Sequence, residues 1–141
     1  MSSFGTGKLE NRYEVWQAVH GSPVITPGFN LSAKYVIHTV GPRWSGGENN
    51  EPEILYSAYK QSLLLAKENN LHSIGFPLIS AGIFGYPVDK AWRRAIRACY
   101  DFIQNNPNYD IKIIFAVLDD RILDIGEETL KETAGTPLDF D

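Results

Sequence analysis

The feature that most limits the possible folds is an alternation between short apolar runs and longer segments with helical spacing. Runs rich in β-branched and aromatic residues predict strands, whereas apolar residues repeated at i, i+3 and i+4 predict amphipathic helices. The predicted strands cover residues 24–26, 33–40, 72–79 and 111–118. The predicted helices cover residues 8–19, 53–70, 88–103 and 120–132. This alternation predicts an α/β domain whose central strands are mostly parallel.

The length and composition are typical of one soluble domain. The 141 residues predict a single domain over 1–141, with a loop at 1–7 and a polar tail at 133–141. No stretch has the pattern of a signal peptide or approaches the roughly 20 apolar residues of a membrane span. Cys99 is the only cysteine, which excludes an internal disulfide and is compatible with a reducing compartment. We therefore expect a cytoplasmic protein that has no membrane partner.

Charge and the distribution of metal-binding residue types narrow the function classes. The formal net charge is −4, which argues against a nucleic-acid partner. His20, His38 and His72 are scattered, and with one cysteine they form no pattern of zinc-ligand spacing. His38 lies within an apolar strand, where a core histidine is the more common interpretation. We expect no metal and no cofactor.

The stretch "ISAGIFGYP" (79–87) places Gly82 and Gly85 in a short loop between a predicted strand and a predicted helix. In open α/β sheets, ligands bind at the carboxyl ends of the strands, and the amides at a helix start favour a phosphate. Glycines allow close approach of the backbone to an anion, although an ordinary strand-to-helix connection is the alternative. The loop has neither the Gly-Lys-Ser/Thr of a Walker A motif nor the Gly-x-Gly-x-x-Gly of a dinucleotide site.

The segments "AKYVIHTVGPRW" (33–44) and "SIGFPLISAGIFGYP" (73–87) resemble the macro domain, an ADP-ribose-binding α/β module. "GSPVITPGF" (21–29) is similar to a third family strand, Thr-Gly-x-Ala-x-x-Thr-x-Gly, with His20 and Pro23 replacing its Thr and Ala. The resemblance implies a three-layer α/β/α fold, and a loop that wraps the diphosphate of ADP-ribose. By resemblance, the ligand-binding residues are Ser80, Ala81, Gly82, Ile83, Phe84, Gly85, Tyr86 and, at the position of an adenine-stacking aromatic, Leu118.

The amino-terminal part departs from the family pattern. The family's first two strands, the Asn-Ala-Ala-Asn motif that ends the second, and its adenine-reading Asp find no match, which predicts an N-terminally shortened sheet. Glu10 and Asn11 are the polar candidates near the position of the family's water-positioning Asp; the alternative is a solvated helix turn. Loss of the second strand would join strands 33–40 and 73–79 or leave open edges. Open edges favour a homo-oligomer, and an incomplete N terminus is the other interpretation.

Two further features have alternative interpretations. Arg93 and Arg97, with Lys90 and Arg94 beside them, form a basic stripe that is either a solvated face or a contact for an acidic partner. Trp44 either caps a strand end near the ligand cleft or packs in the ordinary way.

The sequence predicts that the chain binds ADP-ribose or a related NAD-derived metabolite, free or attached to protein, through backbone groups of the loop. The first alternative is a hydrolase that removes ADP-ribose from mono-ADP-ribosylated protein or deacetylates O-acetyl-ADP-ribose. The second is a remnant that binds no ligand and acts in assembly.

Overall fold

A computed structural model describes the backbone of residues 3–6, 13–17, 24–27 and 134, and residues 35–133 with their side chains. The strands are β1 (Ser3–Thr6), β2 (Tyr13–Gln17), β3 (Val24–Pro27), β4 (Tyr35–Thr39), β5 (Ser73–Phe76) and β6 (Lys112–Phe115). The helices are α1 (Glu51–Glu68), α2 (Val88–Asn105) and α3 (Asp120–Ala134). Within this part of the chain, no helix is both long and apolar enough to cross a membrane.

The six described strands form one sheet in the order β1-β6-β5-β2-β4-β3. All neighbouring pairs are parallel except β3 with β4, which is antiparallel. The carboxyl ends of β2, β4, β5 and β6 therefore lie at one edge of the sheet. The predicted α/β class with mostly parallel central strands is confirmed.

The described helices form a single layer on one face of this sheet. Tyr59 of α1 contacts Phe76 and Phe115 with ring centroids 4.9 and 5.8 Å away, and Trp92 of α2 lies 5.2 Å from the same Phe115. Each large side chain buried in this way stabilises the fold by about 1.5–3 kcal/mol. The second helical layer that the three-layer prediction requires falls outside the described residues, as does the polar tail beyond residue 134.

The helix predicted over residues 8–19 is wrong. Residues 13–17 form β2, which pairs with β4 through Glu14 and Val36 and with β5 through Tyr13 and Ile74. The apolar residues of "YEVWQ" happen to fit helical spacing, but Tyr, Val and Trp are also strong strand formers. The strand is favoured because β2 pairs with β4 on one side and with β5 on the other. These partners lie elsewhere in the sequence, so the local spacing of residues 8–19 does not indicate them.

The loop predicted at residues 1–7 is also wrong in part, because Ser3–Thr6 form β1 alongside β6. The two strands that the sequence comparison judged missing are thus present as β1 and β2. Since β2 fills the position between β4 and β5, the interior edges on which the predicted homo-oligomer rested do not exist. The edges of the described sheet are β1 and β3.

The strands that carry the loop are shorter than predicted. The run 72–79 leaves the sheet after Phe76, because Pro77 has no N–H to donate to a neighbouring strand. The run 111–118 leaves it after Phe115. The backbone from 77 to 87 and from 116 to 119 is therefore released at the carboxyl edge, side by side, because β5 and β6 are neighbours in register.

Candidate functional site

The loop between β5 and α2 starts from a fixed position. The hydroxyl of Tyr59, a fully buried residue, accepts a hydrogen bond from the amide of Ile79 at 2.9 Å and donates to the carbonyl of Pro77 at 3.3 Å. The ring of the same tyrosine packs on Phe76. Helix α1 therefore holds the first residues of the loop against the core.

The remainder of the loop closes on itself. The amide of Tyr86 donates to the carbonyl of Ser80 at 2.9 Å, and the amide of Gly85 donates to the carbonyl of Gly82 at 3.0 Å. Gly85 has φ +74°, and Ser80, which is buried, has φ +68°, a value that few non-glycine residues adopt. A left-handed serine is the kind of local strain that clusters at functional sites.

Three successive amides of the turn have no acceptor among the residues that the structure describes. Within the described residues, the N–H groups of Gly82, Ile83 and Phe84 donate to no hydrogen-bond acceptor, whereas the amide of Ala81 donates to Leu78. Within the described residues, amides without an acceptor therefore lie at the centre of the loop, whereas those of Ala81, Gly85 and Tyr86 are bonded. Such a run of backbone donors can bind an anion.

The side chains at the tip are open to solvent. Ile83 is 99% exposed, and Leu118, on the neighbouring segment after β6, is 102% exposed. Phe84 is half-buried, with the guanidinium carbon of Arg43 5.6 Å from its ring centroid. The predicted ligand-binding residues from Ser80 to Tyr86 thus lie on one loop, with Leu118 at the end of the adjacent strand, and Arg43 adds a cation that the sequence did not indicate.

Gly82 is not required by the described structure itself. A Cβ atom added at Gly82 meets nothing within 4 Å, and its φ lies outside the left-handed region. A glycine at a position that would accept alanine is consistent with space kept for a molecule that approaches the backbone closely.

Helix α2 contributes the next backbone donors. It begins at Val88 after Pro87, and no side chain caps its amino end. The amide of Ala91 makes the first bond of the helix, to the carbonyl of Pro87 at 2.8 Å. The preceding amides and the positive end of the helix dipole favour an anion beside the loop.

A second segment, residues 42–50, supports the loop from the side. The amide of Trp44 donates to the carbonyl of Phe84 at 2.8 Å, and its ring lies 4.7 Å from that of Tyr86. The ammonium of Lys90 lies 5.5 Å from the Trp44 ring. Trp44 therefore packs against the loop, and its place beside a ligand cleft stays a prediction.

Glu51 shapes the 42–50 segment, a role that the sequence analysis missed. Its buried carboxylate accepts hydrogen bonds from the amides of Ser45 at 2.7 Å, Gly47 at 3.0 Å and Asn49 at 2.6 Å. Burial alone would raise the pKa of Glu51, but these backbone bonds outweigh it and lower the pKa to about 2. The sequence signal that could have indicated this role of Glu51 is its position at a helix start, shortly after Gly46 and Gly47.

The remaining candidates have varied outcomes. Arg97 pairs with Asp101 at 3.2 Å, so it leaves the basic stripe. Cys99, the single cysteine of the sequence, is fully buried. Glu10 and Asn11 lie outside the described residues. Their catalytic role stays a prediction, although the helix on which they were placed is replaced by β2.

Together these features define an α/β domain with a glycine-containing loop at the carboxyl edge of a mostly parallel sheet, and three amides of the loop find no acceptor in the described part of the chain. The family model described as Macro domain matches residues 4–95. The chain belongs to the macro domain family.

Named relatives and solved structures agree with this assignment. The O-acetyl-ADP-ribose deacetylase of Salmonella typhimurium is 55% identical over 83 residues, which cover 59% of this chain and 46% of that protein. An Oceanobacillus iheyensis macrodomain with ADP is similar at a TM-score of 0.74 and 36% identity, over 81% of this chain and 59% of that one. A Trypanosoma brucei macrodomain in complex with ADP-ribose is similar at a TM-score of 0.71 and 32% identity, over 77% of this chain and 44% of that one. The chain spans about half to three quarters of the length of its curated relatives.

Proposed function

We propose that this chain binds ADP-ribose, free or attached to protein, with the diphosphate on the loop of residues 80–86. The observation that carries the proposal is the run of three amides at Gly82, Ile83 and Phe84 that have no acceptor within the described residues. The open space at Gly82 and the uncapped start of α2 support the same position for the two phosphates.

The adenine end of the ligand fits the exposed Leu118. Leu118 follows β6 by three residues, and β6 is the neighbour of β5, from which the loop departs. A leucine can cover the face of an adenine, although it lacks the quadrupole of an aromatic ring. ADP and ADP-ribose are also the molecules named with the solved relatives. The net charge of −4 argues against a nucleic acid as the partner. We also propose a cytoplasmic location, with which a single, buried and unpaired cysteine, Cys99, is compatible.

Calorimetric titration with ADP-ribose tests the proposal. Gly82→Glu places a carboxylate where the diphosphate would lie, and like charges in contact cost several kcal/mol, so we expect binding to weaken at least about 100-fold. Ser57→Glu, at an exposed position on α1, adds the same charge away from the loop and should bind like the wild type. Unchanged melting temperatures would show that both variants fold.

Two results would contradict the proposal. Wild-type protein that releases no heat with ADP-ribose would favour the assembly remnant. A Gly82→Glu variant that binds as tightly as the wild type would move the site away from the loop.

The second candidate function is hydrolysis, favoured by the 55% identity to a protein named O-acetyl-ADP-ribose deacetylase. Incubation with O-acetyl-ADP-ribose and with mono-ADP-ribosylated protein, followed by mass spectrometry of the products, separates the two functions. A binding module leaves both substrates intact. Turnover by the wild type that disappears in Gly82→Glu would establish the hydrolase.

A further inference from the structure

A second concave site lies beside the loop and has no part in the proposed function. It is a cavity of about 220 Å³ between the 44–47 segment, the start of α1 and the first turns of α2. We call it the basic pocket and define it by Trp44, Pro52, Tyr86, Lys90, Arg93 and Arg94, which line it. The amides of residues 82–84 and the side chain of Leu118 do not line it, and only Tyr86 is shared with the loop.

The charge of the basic pocket is positive and unbalanced. Lys90, Arg93 and Arg94 lie at i, i+3 and i+4 on α2, so they share one face of the helix. Within the described residues, none of the three forms an ion pair, whereas Arg97 on the same helix is paired with Asp101. Three cations gathered around one hollow repel each other, and an anion in the hollow would relieve that repulsion.

The carboxylates of Glu51 and Glu53, which act on Tyr86, do not line the basic pocket. Glu51 is occupied by three backbone amides. Burial, and to a smaller extent these two glutamates, raises the pKa of Tyr86, while Arg94 lowers it. The Tyr86 hydroxyl therefore stays protonated at neutral pH and can donate a hydrogen bond to an anion.

The wall of the basic pocket is held in place before any ligand binds. Trp44 is fixed by its backbone bond to Phe84 and by contact with Tyr86, and Lys90 lies over its ring. At Gly47 a Cβ atom would lie 2.8 Å from Cη2 of Trp44, so the tryptophan already fills the space that a side chain would need. A preorganised site loses less entropy when it binds.

The chemistry of the lining selects the class of ligand. Two guanidinium groups and an ammonium suit a phosphate dianion, since arginine binds phosphate through paired N–H donors. Trp44 and Pro52 offer an apolar wall for an organic group. The volume is below the roughly 300–1,000 Å³ of sites for drug-sized ligands, which indicates a small occupant.

We propose that the basic pocket binds a small organic phosphomonoester, at a site separate from the diphosphate-binding loop. The proposal does not rest on the ADP-ribose proposal, because the two sites use different donors. Free metabolites and phosphorylated aromatic side chains share this chemistry; the structure favours the small molecule because the cavity is small.

Two-dimensional ¹H–¹⁵N NMR with phenyl phosphate tests the proposal site by site. We expect saturable shifts of the Trp44 indole N–H and the Gly46 amide, retained in Gly82→Glu. The double variant Arg93→Gln with Arg94→Gln should bind at least tenfold more weakly, because charge-assisted contacts are lost. Lys112→Gln removes one exposed charge at the opposite edge of the sheet and should change nothing. If the double variant fails to fold, Lys90→Gln takes its place.

Three further titrations distinguish the alternatives. Phenylacetate should bind more weakly than phenyl phosphate, and a phosphotyrosine peptide should bind no more tightly than phenyl phosphate. Inorganic phosphate that binds as tightly as phenyl phosphate would overturn the organic part of the proposal. Shifts confined to the amides of residues 82–84, no saturable shift, or binding that persists in the arginine double variant would overturn it altogether.

Discussion

Gly126 in α3 is the position where a single methyl group should have the largest effect on stability. A Cβ atom there would lie 2.5 Å from Cε2 and Cζ2 of Trp92, well inside van der Waals contact. Trp92 has little freedom to move, because it is almost fully buried, its Nε1 donates to the carbonyl of Ile122 at 2.8 Å, and its ring packs against Phe115. The glycine is therefore required by the neighbouring helix.

The expected magnitude follows from opposing effects. Alanine is favoured over glycine inside a helix by about 1 kcal/mol. Overpacking costs about 1–3 kcal/mol, and displacing Trp92 from its hydrogen bond adds about 1 kcal/mol. We therefore expect Gly126→Ala to lower the free energy of unfolding by about 1–3 kcal/mol, which corresponds to a melting temperature lower by roughly 3–10 °C.

Urea denaturation followed by tryptophan fluorescence measures this change. Gly82→Ala is the matched control, because its Cβ meets open space, and it should stay within about 0.5 kcal/mol of the wild type. In a Trp92→Phe background the smaller ring should accommodate the methyl group, so Gly126→Ala should become neutral or stabilising. Gly126→Ala that stabilises the wild type, or that costs the same in both backgrounds, would refute the reasoning.

Three other predictions follow from the same contacts. Tyr59→Phe leaves the buried amide of Ile79 without its partner, so we expect a loss of about 1–3 kcal/mol in urea denaturation and weaker ADP-ribose binding; unchanged affinity would mean that the tyrosine does not position the loop. The lowered pKa of Glu51 means that its stabilising effect is complete above its unfolded pKa of about 4.3 and is lost as the pH falls toward 2. The difference in melting temperature between wild type and Glu51→Gln should therefore be largest near neutral pH and shrink over that range. Burial raises the pKa of Cys99, so a thiol reagent should modify it only at the rate of unfolding, and rapid labelling of native protein would contradict its position in the core.

Much of the fold can be predicted because its signals are local. Helices α1, α2 and α3 each show helical periodicity over three or more turns, and β4, β5 and β6 are apolar runs that end at glycine or proline or in a short loop. β1 and β2 could not be predicted in the same way. They are four and five residues long, and the partners that make them strands, such as Ile74 for Tyr13, lie far along the chain.

In the candidate site, too, features with a local sequence signal could be predicted, and features that depend on tertiary packing could not. The loop from Ser80 to Tyr86 was predicted because its glycines and its place between strand and helix are visible in the sequence. Arg43 over Phe84 and the amides around Glu51 depend on how a second segment packs against the loop. The basic stripe on α2 was visible, but only the tertiary structure separates Arg97, which is paired, from the three cations that face a cavity.

The position of β2 at the centre of the sheet has a consequence for folding. Tyr13 must pair with Ile74 before the sheet is continuous, and Ser3 must pair with Lys112 before its β1 edge forms. Although β2 can pair with β4 soon after both have been synthesised, β1 and the β5 side of β2 stay without their partners until β5 and β6 have been synthesised. Contacts of such long sequence separation slow folding. In this sheet they depend on β2, the strand that joins β3 and β4 to β5 and β6.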